Sequence, residues 1–140
     1  MQLNPYLIFN GNCAAAFKFY EKCLGGKIVM MMTHAEAPAG DQARQVTPAW
    51  RDKIMHVRMN VGDVALMGSD APPEFYEEKK GFSVSLTVDT PADAERIFGA
   101  LSEKGTVRMP LQQTFFAARF GMLVDQFGTP WMVNCEGEAR

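Results

Sequence analysis

Polar and apolar residues alternate along 54–60 (Ile-Met-His-Val-Arg-Met-Asn) and again along 82–88 (Phe-Ser-Val-Ser-Leu-Thr-Val). A period of two predicts strands with one buried face. Elsewhere the period is helical. Ala16, Phe17, Tyr20, Cys23 and Leu24 fall at three- and four-residue spacing, which predicts a helix over 13–24 with those residues as its buried stripe. Asn12 is the expected N-cap and Gly25-Gly26 the stop. Ala94, Ile97, Phe98 and Leu101 predict a second helix. Thr90 is its expected N-cap, Pro91 its first residue and Asp93 a favourable charge in its first turn. That helix is expected to run to about Glu103 and to end at Gly105.

The remaining apolar runs, 3–9, 27–33, 64–68, 106–109, 118–124 and 130–135, read as strands. The segment 34–53 holds Ala, Pro and Gly among scattered charges and reads as a long loop; 69–80 and 110–116 read as further loops, and 136–140 as a polar, frayed tail. Each half therefore reads strand, helix, strand, strand, strand. A shift of 79 positions carries Phe9 onto Val88, Phe19 onto Phe98, Gly26 onto Gly105 and Met30 onto Met109. After the longer loop of the first half the shift is 65, and Leu66-Met67 falls on Trp131-Met132. The chain is expected to be one α+β domain made of two βαβββ repeats, about 1–70 and 80–136. Each repeat buries one sheet face under its helix. Side by side, the two would form a cupped mixed sheet around a cleft, a natural place for a small molecule.

Several stretches resemble one family. They are 5–20 (PYLIFNGNCAAAFKFY), 23–28 (CLGGKI), 65–70 (ALMGSD), 84–98 (VSLTVDTPADAERIF), 109–116 (MPLQQTFF) and 120–134 (FGMLVDQFGTPWMVN). Together they resemble the vicinal-oxygen-chelate superfamily, the glyoxalase/bleomycin-resistance fold. Within it they look like the PhnB-like branch, whose members are often labelled 3-demethylubiquinone-9 3-methyltransferase domains. The resemblance implies four metal ligands, one on the first and one on the last strand of each half, usually His or Gln, Glu, His and Glu. Those positions fall at Asn4 or Tyr6, at Met67, at Ser83 and at Met132. None is His, Asp, Glu or Cys. Methionine thioethers are soft donors that do not suit magnesium, zinc or iron(II). No cofactor is therefore expected; a divalent metal would require other strand registers than these. The resemblance also implies a homodimer, for which the loop 35–49 and Phe115-Phe116 are candidate contacts.

Composition narrows the rest. The 140 residues are 47% hydrophobic and 21% charged, with a net charge of −2. That suits a single globular domain and leaves no basic run for a nucleic acid and no basic amphipathic stretch for a membrane surface. No apolar run approaches the roughly 20 residues of a membrane span, and the N-terminus opens as a strand rather than a secretory leader, so a cytoplasmic location is expected. Cys13, Cys23 and Cys135 match no zinc spacing and are expected to be buried, free thiols. No nucleophile elbow, phosphate loop or S-adenosylmethionine-type glycine loop is present. His56 is the best acid/base candidate if it faces the cleft, and His34 is expected to be solvated. Arg119 is either an anchor for an anionic group or a surface Arg paired with an acid. Tyr6, Met67, Ser83, Phe115, Phe116, Arg119 and Met132 make up the expected ligand-binding set. The reading favoured is a metal-free binder of a small, partly apolar molecule; the alternative is a lyase/isomerase-type or metal-dependent enzyme.

Overall fold

A computed structural model describes residues 1–37 and 47–136. The centre of the long loop and the end of the tail lie outside the described residues. The chain forms two compact units, Met1–Glu77 and Glu78–Arg140. The first contains β1 (Tyr6–Phe9), α1 (Cys13–Leu24), β2 (Lys27–Thr33), β3 (Ile54–Val61) and β4 (Val64–Asp70), with a short 3-10 turn at Pro48–Trp50. The second contains β5 (Val84–Val88), α2 (Pro91–Leu101), β6 (Thr106–Gln112), β7 (Arg119–Val124) and β8 (Pro130–Cys135). The α+β class and the tandem βαβββ order are those expected.

Each unit has a four-stranded mixed sheet of the same design. In the first the order is β1-β4-β3-β2, in the second β5-β8-β7-β6. The first strand pairs in parallel with the last, and the other neighbours are antiparallel. One face of each sheet packs on the unit's helix. In the first unit Leu7, Phe9, Val57 and Met59 lie fully buried with Phe17 and Tyr20 of α1. Phe9, Phe17 and Tyr20 form an aromatic cluster, with Phe17 edge-on to both. Each such side chain contributes about 1.5–3 kcal/mol on burial. In the second unit Ala94, Ile97, Phe98 and Leu101 of α2 share a buried core with Leu123, Trp131 and Val133.

Several boundaries differ from expectation, each for a local reason. β1 and β5 begin later than the apolar runs do. α2 stops at Leu101: Ser102 N–H makes the last helical bond, to the Phe98 carbonyl at 3.0 Å, and the chain then tightens into turns, with Glu103 N–H on the Ala100 carbonyl at 3.3 Å and Gly105 N–H on the Ser102 carbonyl at 2.8 Å. β6 continues through Pro110 to Gln112. It is the edge strand of its sheet, and its register shifts between Met109 and Gln112, so the proline removes no ladder bond that a neighbour needs. Thr90 caps α2 as expected, accepting from Asp93 N–H at 3.1 Å.

The cap of α1 corrects the reading of Asn12, whose side chain makes no capping bond. Asp70, at the end of β4, takes that role. Its Oδ1 accepts from Gly11 N–H at 2.8 Å and Cys13 N–H at 3.0 Å, and its Oδ2 accepts from Ile54 N–H at 2.9 Å. One buried carboxylate thus ties the helix start to β3 and β4, where negative charge also suits the helix dipole. Asp125 does a related task in the second unit. It accepts from Phe127 N–H at 2.8 Å and Thr129 N–H at 3.1 Å through Oδ1, and from the Trp131 indole at 2.8 Å through Oδ2.

Candidate functional site

The strand faces turned away from the helices hold Tyr6, His56, Met67 and Met132. In the first unit, burial of Val57 and Met59 against α1 turns His56 and Arg58 to the other side. Cross-strand register then sets up a row: Tyr6 of β1, Met67 of β4, Arg58 of β3 and Met30 of β2. His56 lies next to that row, with Met32 as its β2 neighbour. The Tyr6 hydroxyl is 3.2 Å from His56 Nδ1, and the two rings stack at 5.7 Å between centroids. A Tyr–His hydrogen bond fixes the imidazole's orientation and can relay a proton.

The second unit has the corresponding row: Ser85 of β5, Met132 of β8, Met122 of β7 and Met109 of β6. Beside it run Thr87, Asn134, Phe120 and Gln112. Phe120 makes an edge contact with Phe116 at 5.2 Å, and Phe116 another with Phe115 at 5.1 Å. Asn134 Oδ1 is shielded from solvent and has no hydrogen-bond partner in the structure. Buried amide oxygens are nearly always paired, so this one is available to a donor.

Tyr6, His56 and Met67 come together on the first unit's helix-free face, and Met132 and Phe116 lie on that of the second. Ser83 falls just before β5; the strand neighbour of Met132 is Ser85. Phe115 projects to solvent at 85% exposure. Arg119 sits on the helix side of β7, opposite Cys135. Its Nε is 3.3 Å from Glu95 Oε2, and it donates to the Ala118 carbonyl at 2.7 Å. It is thus the acid-paired arginine of the two readings. His34 is not solvated as expected: its Nε2 is buried without a partner. Cys13, Cys23 and Cys135 are buried and free.

Arg58, Ser85, Phe120 and Asn134 were missed. The signal for the first two was present: Arg58 is in phase with His56, and the shift of 79 positions carries Tyr6 to Ser85. Phe120 and Asn134 are likewise out of phase with the buried residues beside them. Among ionisable groups, Glu36 is perturbed. The Thr33 N–H and then the Thr33 hydroxyl, at 2.9 and 3.1 Å from its carboxylate, hold its carboxyl below the ordinary range. It is a turn contact at the end of β2.

Residues 2–133 match the model of the Glyoxalase/Bleomycin resistance protein/Dioxygenase superfamily. The chain belongs to this superfamily. Protein YjdN of Escherichia coli (strain K12) is 33% identical over 139 residues, spanning 96% of this chain and 95% of that one. Protein PA1353 from Pseudomonas aeruginosa has the same fold with a TM-score of 0.89 and 51% identity over 99% of both chains. The PhnB protein from Bacillus cereus is a fold neighbour with a TM-score of 0.78 and 20% identity, covering 96% of this chain and 99% of that one. At that identity the likeness is one of fold.

The superfamily implies a metal, and the donor set here can be tested against one. The first and last strands pair Tyr6 with Met67 in one unit and Ser85 with Met132 in the other. Neither pair, a phenol with a thioether or an alcohol with a thioether, suits the superfamily's divalent cations, which select carboxylate and imidazole donors. Among the described residues no group of three or more His, Cys, Asp or Glu side chains could hold a metal ion. No helix among them is long and apolar enough to cross a membrane.

Proposed function

We propose that this protein binds a small, partly apolar molecule on the helix-free faces of its sheets, without the divalent metal usual in its superfamily. The observation that carries this reading is the pair of methionines, Met67 and Met132, on the last strand of each sheet, beside Tyr6 and Ser85. Thioether side chains are flexible and polarisable and adapt to an irregular apolar surface. Within the second unit Met122, Met109, Phe116 and Phe120 widen the apolar surface around Met132. Two measurements test it. Elemental analysis of the purified protein is expected to find no stoichiometric metal, and the neutral dye N-phenyl-1-naphthylamine is expected to brighten on binding. One tightly held metal per chain, or no dye binding, would overturn the reading.

One observation favours a second reading, a lyase- or isomerase-type enzyme. The Tyr6 hydroxyl and His56 Nδ1 form a hydrogen-bonded pair that could take up and return a proton. Replacing His56→Ala should abolish any turnover that is found. Unchanged turnover would remove His56 from the mechanism.

A further inference from the structure

We infer that the first unit's helix-free face contains an oxyanion-binding corner formed by Arg58 and His56 and oriented by Tyr6. The inferred ligand carries an oxyanion head, of carboxylate or phosphate type, on its apolar body. The inference rests on the binding reading above and narrows the ligand class.

Arg58 is half-buried, in the middle of a four-stranded sheet rather than at its rim. Its recorded contact is a long one, Nε to Asn60 Oδ1 at 3.4 Å. Among the described residues no ion pair involves Arg58, so no carboxylate of theirs lies within 4.0 Å of its guanidinium. Arg119, with Glu95 and a carbonyl in reach, shows the neutralised alternative. The four strands of the unit contain a single acidic residue, Asp70. Its carboxylate is committed to three backbone N–H groups at the start of α1 and of β3. The strand residues around Arg58 therefore offer donors without a free acid among them.

His56 adds a donor to that face. Its Nδ1 is engaged by the Tyr6 hydroxyl. When the hydroxyl donates to Nδ1, the neutral ring carries its proton on Nε2, which is then a donor. A planar guanidinium fork and an imidazole N–H in adjacent positions match the paired oxygens of an oxyanion. Met67, between Tyr6 and Arg58, and Met30 and Met32 on β2 provide thioether contact for the apolar remainder.

Two dyes with the same aromatic body separate the claims: 1-anilinonaphthalene-8-sulfonate, whose sulfonate acts as the oxyanion, and neutral N-phenyl-1-naphthylamine. Fluorescence titration of the full chain should show the anionic dye binding about tenfold more tightly, the scale of a charge-assisted hydrogen bond. Arg58→Gln should remove that preference and leave the neutral dye unaffected; Arg58→Lys should retain part of it. Raising the ionic strength on the wild-type chain should shrink the preference without any variant, which covers the case of a misfolded substitution. Binding of the neutral dye with no preference for the sulfonate overturns this inference alone. A preference that survives Arg58→Gln in a folded protein does the same. Binding of neither dye overturns both readings.

Discussion

The two sheets share strand order and pairing, yet their helix-free faces carry different chemistry. The first unit's row is Tyr6, Met67, Arg58 and Met30; the second's is Ser85, Met132, Met122 and Met109. Two polar, hydrogen-bonding side chains in one become a hydroxyl and a third thioether in the other. The helix-packed faces are far more alike: each buries an aromatic and aliphatic stripe, and each has one buried aspartate tying down backbone N–H groups. Close packing leaves a core little freedom, because cavities and overpacking both cost stability. The face free of a helix carries no such demand, and there the two units differ.

The aspartates give the largest expected effects and test how far the likeness of the packed faces goes. Asp70 bonds Gly11, Cys13 and Ile54, which are 59, 57 and 16 positions away. Asp125 bonds Phe127, Thr129 and Trp131, only two, four and six positions away. Asp70→Ala would leave N–H groups of two elements buried and unpaired and should cost about 3–4 kcal/mol in urea unfolding. Asp125→Ala should cost about 2–3 kcal/mol, because a local turn can rearrange toward water. Equal losses would show that Asp70 is no more than another turn residue.

Glycines come next. A Cβ on Gly68 would sit 2.7 Å from the Leu7 carbonyl oxygen and 2.7 Å from Phe17 Cε1. On Gly121 it would meet Phe98 Cε2 at 2.7 Å and Leu111 Cα at 2.9 Å. Both positions let a sheet approach its helix, and at both backbone atoms crowd the site. Gly68→Ala and Gly121→Ala should each lower stability by about 1–3 kcal/mol. A thermally neutral Gly68→Ala would mean that β1 and β4 slide apart at little cost.

These examples also mark what was legible in the chain. Strand and helix identity came from local periodicity, and both helix starts and the βαβββ order followed from it. The cap on α1 did not, because its acceptor is Asp70, 57 positions from the Cys13 N–H it serves. Nothing near Asn12 in the chain signals that. Within the site, the alternation of β3 put His56 on an identifiable face, and the same count would have found Arg58. Ser85 was displaced to Ser83 by counting from Asn4, two residues short of the strand residue that pairs with Met67. Arg119 could not be assigned without its partner, since Glu95 lies on the helix above it. Phase is readable along a chain; pairing between distant elements requires the fold.

The thioether row should respond weakly. Met122→Leu and Met132→Leu conserve volume and should each change stability by less than about 1.5 kcal/mol. Their effect belongs to binding: the neutral dye should lose affinity as the flexible side chains are replaced by stiffer ones. Unaltered dye affinity in the double substitution would move the apolar contact away from the second unit and erase the contrast between the faces.

The smallest expected effect is the most specific to the first unit. Tyr6 is 44% exposed, so Tyr6→Phe should cost only about 0.5 kcal/mol or less. Ser85→Ala, its counterpart, should be similarly mild. The difference should appear at His56. A hydroxyl that donates to Nδ1 holds the neutral ring in the tautomer protonated at Nε2, and one that accepts holds it in the other; without the hydroxyl either preference relaxes toward a mixture. Nitrogen-15 shifts of the His56 ring, recorded where the ring is neutral, report the tautomer directly. A ring whose shifts are the same in wild type and Tyr6→Phe would show that the 3.2 Å contact does not orient it, and Arg58 would then have to hold an oxyanion without a fixed second donor.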